Sequence, residues 1–180
     1  NLSSLVDIQS FDRHASTIVG AYLQWFDSSV ENSLLNLLGL FDRGIALTDV
    51  KALVRSAVVT GLTEELAGLS QSEWSYALKK LENASLITTS VRDGFSMIDC
   101  HPLVRDFLNE HLSKERPGIW REGNKMVFEF LQRSAIANPE TMLQLEPLFR
   151  AVVHGTRAGL FEESFKLYFE RIKRKQFSIF

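Results

Sequence analysis

The residues best placed to do chemistry are Cys100 and His101, in the stretch "MIDCHPLVRDFLNEHL" from Met97 to Leu112, where a short apolar run meets His-Pro and becomes amphipathic. A thiol beside an imidazole is the pairing of a nucleophile with its base. Neighbours on an extended segment point to opposite faces, however, so these two side chains do not share a site. The other histidines, His14, His111 and His154, are scattered, and no His or Cys cluster has zinc-ligand spacing. Neither the phosphate-binding pattern G-x-x-x-x-G-K-[ST] nor the dinucleotide pattern G-x-G-x-x-G occurs. The expectation is a chain with no catalytic residue, no metal and no cofactor of its own.

What must position His101 can be read from periodicity. From Asp12, a cap, to Phe26, apolar residues recur every three or four positions, as on one face of a helix. A second helix from about Val30 to Leu40 is so rich in leucine that most of its sides must be buried, and Gly44 in "FDRG" is available as its left-handed cap. Thr48 opens a third helix with Val50, Leu53 and Val54 inward. In "SQSEWSYALKKLENA", Ser70 stands three residues before Glu73, the arrangement of a capping box. The period then changes to that of strands: "LITTS" and "FSMID" flank "VRDG", whose Asp-Gly predicts a β-hairpin. Pro102 follows at a first helical position, where its missing N–H costs nothing, which puts His101 at the cap.

Beyond the polar break "SKERPG" everything reads as helix: Ile119 to about Arg133, then Thr141 to Ala158 with Pro147 bending it or marking a later start, then a helix after Gly159. A helix, a tight Ala-Gly turn and a second helix form the unit from which α-solenoids are stacked. The fold class predicted is therefore mainly α: a winged-helix domain, helices plus a small β-hairpin wing, followed by an all-α helical-hairpin segment of tetratricopeptide or solenoid type. The domain expectation is 1–28 as the terminal helix of a preceding subdomain, 29–113 as the winged helix and 114–180 as the helical segment.

Composition narrows function. With 45% hydrophobic and 23% charged residues the 180-residue chain can bury a real core, and a net charge of −2 lacks the basic excess of a phosphate-backbone binder. The helix before the wing carries two lysines against two glutamates, a poor grip on DNA, and the basic run "RIKRK" at the far end reads as a solvated helix end. A single cysteine forms no intrachain disulfide, which suits a reducing compartment, and no apolar run is long enough to span a membrane. The expected location is cytoplasmic. The absence of an initiator Met suggests a piece of a longer protein.

Four stretches together resemble a known arrangement: "LLNLLGLFDRG", "GLTEELAGLSQSEWSYALKKLENASLI", "DCHPLVRDFLNEHL" and "AVVHGTRAGLFEESFKLYFERI". In combination and order they are similar to the region that follows the nucleotide-binding domain in bacterial STAND signalling ATPases of the NB-ARC/NACHT type, and the likeness covers roughly Ala21 to Ile172. The resemblance implies a P-loop ATPase domain preceding this chain in the same polypeptide, ADP or ATP bound there, a helical sensor region that engages a protein or ligand, and an oligomer in the active state. It also implies a role for His101, which matches the histidine of the MHD-type motif that reaches the β-phosphate of ADP; Pro102 stands where that motif has its acid. From local chemistry alone, His101 is a cap packed under the hairpin. Two other functions fit the same elements: a winged-helix transcription regulator with a helical sensing domain, and a helical protein-interaction adaptor.

Overall fold

The structure, a computed structural model, describes residues 29–173. The helix expected from Asp12 to Phe26, with its cap, and the end of the "RIKRK" run lie outside them. Backbone contacts divide the chain after Arg116.

In the first unit, α1 (Ser29–Gly39) is the centre of the core. Leu34, Leu35 and Leu37 are wholly buried, each removing enough apolar surface from water to contribute about 1.5–3 kcal/mol. The helix ends by tightening: the N–H groups of Leu40 and Phe41 donate to the carbonyls of Leu37 and Leu38, both at 3.2 Å. Gly44 is therefore not its cap, and it is not among the residues with positive φ. Its lack of a side chain serves a close approach instead, since a Cβ there would lie 3.2 Å from Asp99.

A two-residue strand follows, β1 (Ile45–Ala46), too short to leave an alternating pattern in the sequence. It leads directly into α2 (Leu47–Ser56), whose cap position is Ala46, with no side-chain cap bond. Thr48 thus lies inside the helix rather than opening it, while Val50, Leu53 and Val54 are buried as the spacing predicts. A loop with one 3-10 turn (Glu64–Leu66) connects to α3 (Gln71–Asn83). The capping box of α3 is complete: Ser70 Oγ accepts from the Glu73 N–H at 3.3 Å and Glu73 Oε2 accepts from the Ser70 N–H at 2.8 Å. The Ser70 hydroxyl also donates to Glu73 Oε2 at 2.7 Å, and that bond, together with the one from the Ser70 N–H, holds the Glu73 carboxyl below its ordinary range.

The hairpin comprises β2 (Ile87–Arg92) and β3 (Phe95–Cys100). Asp93 and Gly94 form a two-residue turn with φ of 52° and 80°, the doubly left-handed geometry that matches strand twist and selects Asp-Gly. Register runs from Arg92 opposite Phe95 to Ile87 opposite Cys100, and β1 adds to the other edge of β3 with Ile45 opposite Ile98. The sheet order is β1-β3-β2, all antiparallel. Immediately after β3 comes α4 (Pro102–Glu115), which continues through most of the expected polar break; only Arg116 separates it from the next helix.

The second unit, described from Pro117 to Lys173, has α5 (Pro117–Ser134), α6 (Met142–Ala158) and α7 (Phe161–Leu167), the last running into a π-helical turn at Tyr168–Ile172. Thr141 and Gln144 form a second capping box that starts α6, so Pro147 sits inside that helix rather than marking its beginning. Gly159, with φ of 83°, closes α6 in the left-handed region. Both flanking helices crowd Gly155, where a Cβ would come 2.8 Å from the Phe128 ring and overlap Ser164 Oγ. Among the described residues no helix is long and apolar enough to cross a membrane. The protein is thus mainly helical, with a small three-stranded antiparallel sheet.

Candidate functional site

His101 occupies the junction between β3 and α4. Its φ of −54° and ψ of 136° are the non-helical values of a cap residue, and Nδ1 accepts the Leu103 N–H at 3.3 Å. Pro102 fills the first helical position, as the sequence predicts. The ring is exposed rather than packed beneath the hairpin, which corrects that part of the local expectation. A nitrogen that accepts cannot carry a hydrogen, so the neutral ring is the Nε2–H tautomer, a donor on an exposed residue at a helix N-terminus, where the backbone dipole favours anions.

Cys100 points the other way, as neighbours on a strand must. It is 4% exposed, and burial pushes its thiol up to about 12, a shift that nearby Arg105 opposes and Asp99 adds to. A protonated, enclosed thiol beside an outward imidazole is not a nucleophile with its base. Among the described residues no three His, Cys, Asp or Glu side chains converge as metal ligands would.

Beneath the junction lies a cluster that periodicity did not reveal. Arg105 Nη1 donates to the Asp42 carbonyl at 2.6 Å, and Nη2 donates to the Cys100 carbonyl at 3.0 Å and to the Asp99 carboxylate. Its partners come from the loop after α1 and from the end of β3, up to 63 positions away, and a local pattern holds no signal for such a meeting. In the second unit Asn124, wholly buried, donates from Nδ2 to the Trp120 carbonyl at 2.8 Å, and its Oδ1 lies 2.9 Å from Nδ1 of buried His154. Here a signal existed: Asn124 interrupts the apolar stripe of α5.

The capping pair Ser70 and Glu73 sits at the start of α3 and does structural work there. On α3, Lys80 is not free for a phosphate backbone, because its Nζ pairs with the buried Glu31 carboxylate at 3.0 Å. Lys79 is exposed on the same helix as Glu73 and Glu82, and the hairpin tip offers Arg92 beside Asp93. A hollow of about 500 Å³ between α1 and α3 is lined by Val30, Leu69, Tyr76 and Ala77 with Glu31 and Lys80; His101 does not line it.

Comparison with protein-family models, with curated proteins and with solved structures finds no match for this chain.

Proposed function

We propose that this chain is a non-catalytic regulatory segment of a STAND-class signalling ATPase, in which a winged-helix arm senses bound ADP through His101 and couples a helical sensor to oligomerisation. The observation that carries the reading is the exposed imidazole that caps α4 through Nδ1, which leaves Nε2 to carry the hydrogen of the neutral ring. A phosphate oxygen is the complementary acceptor, and the helix start adds favourable potential.

The element order supports the winged-helix part of the proposal: helix, short strand, two helices, hairpin and helix, with sheet order β1-β3-β2. The second unit supports the sensor part. Met142 and Leu143 on α6 and Phe161 and Phe165 on α7 are 65–80% exposed, apolar surface that a following helical hairpin of an array would cover. In the parent protein, ADP in the preceding ATPase domain would tie the arm down, and its replacement by ATP would release it. The polypeptide that includes the ATPase domain tests this. His101→Ala should speed ADP release and raise basal signalling; unchanged release would overturn the role.

A further inference from the structure

Arg105 stands four residues after His101 on α4, yet its guanidinium turns back under the junction and is 13% exposed. Of its three acceptors, the Cys100 carbonyl belongs to the peptide whose N–H is that of His101 itself. The Asp99 carboxylate precedes it by one residue, and the Asp42 carbonyl anchors the assembly to the loop after α1. We propose that Arg105 is a positioning residue for the candidate phosphate sensor: it fixes the Cys100–His101 peptide plane so that His101 caps α4 through Nδ1 and turns Nε2–H outward. This inference rests on the function proposed above.

The chemistry requires arginine. A planar fork with fixed N–H directions can hold two carbonyls and a carboxylate together, whereas an ammonium is a single point that rotates. Arg105 does not itself receive the anion, because its charge faces Asp99 within the fold. Gly44 belongs to the same device: a Cβ there would press on Asp99 at 3.2 Å and displace the carboxylate that orients the guanidinium.

Hydrogen exchange at the Leu103 amide reads the cap directly, since that N–H donates to His101. In Arg105→Lys, Leu103 exchange should rise roughly fivefold, the loss of one cap bond, while the amides of Leu108 and Leu112 deeper in α4 keep their protection. A uniform rise along the helix would mean that Arg105 only stabilises, and no rise in a folded variant would equally overturn the proposal. If Arg105→Lys does not fold, Gly44→Ala perturbs the cluster from the other side and must give the same local change. In the polypeptide with its ATPase domain, Arg105→Lys should speed ADP release, and adding it to His101→Ala should have no further effect; an additive increase would show that Arg105 does not act through the histidine. Should His101→Ala leave release unchanged while the Leu103 result holds, the sensing role fails and the positioning role stands.

Discussion

Gly39, the last residue of α1, lies so close to Leu108 of α4 that a Cβ on the glycine would be 2.7 Å from the leucine Cβ. Leu108 is wholly buried and cannot move aside without disturbing the core. The two helices therefore meet at a distance that only glycine permits.

Gly39→Ala sets two effects against each other. Alanine gains up to about 1 kcal/mol in an isolated helix, and less at a helix end. Overpacking a tight contact costs about 1–3 kcal/mol. The second wins, so the urea midpoint should fall by an amount equivalent to about 1–2 kcal/mol with the m-value unchanged. A raised midpoint would show that the helices can separate cheaply.

The buried pair Asn124 and His154 should behave as a unit. Asn124→Leu removes the partner of a ring nitrogen that water cannot reach, at a cost of about 1–3 kcal/mol. Adding His154→Phe removes the nitrogen that had met Asn124 as well, so the double variant should be less destabilised than the sum of the single ones. Simple additivity in chemical denaturation would deny the coupling.

How much was legible depended on the range of each interaction. Ser70 with Glu73, Asp93 with Gly94, and Pro102 after the strand are signals carried by residues within a few positions, and each marks the element that the structure contains. Gly44 misled because a glycine after a helix reads as a cap, whereas its space is needed by Asp99, 55 positions on. Strand β1 was invisible because two residues carry no alternation. At the candidate site the same division holds: the place of His101 follows from Pro102 beside it, but the Arg105 cluster beneath it needs the loop at Asp42, which only tertiary folding brings near.

Cys100 gives a prediction with a definite sign. Its folded value of about 12 lies above the ordinary 9.0, so the folded chain holds the thiol proton more tightly than the unfolded one. The stability linked to it is fully present below pH 9 and is lost as pH rises toward 12. Relative to Cys100→Ala, the wild-type urea midpoint should drop between pH 9 and pH 11. At pH 8 the folded thiol should react with iodoacetamide roughly a thousandfold more slowly than in urea, the ratio of thiolate populations set by values of about 12 and 9.0. Rapid labelling of the folded chain would contradict the burial.

Capping and sensing by His101 can be separated with asparagine. Asparagine is among the best cap residues, so His101→Asn should leave the melting of this chain within about 0.5 kcal/mol of wild type, while His101→Ala loses about 1 kcal/mol. Its amide is shorter than an imidazole, and when its oxygen accepts the Leu103 N–H no ring N–H projects beyond the helix start. In the polypeptide with the ATPase domain, His101→Asn should therefore release ADP as fast as His101→Ala does, despite its intact cap. Retention of ADP by the asparagine variant would reduce His101 to a cap and remove the argument that its outward nitrogen meets a phosphate.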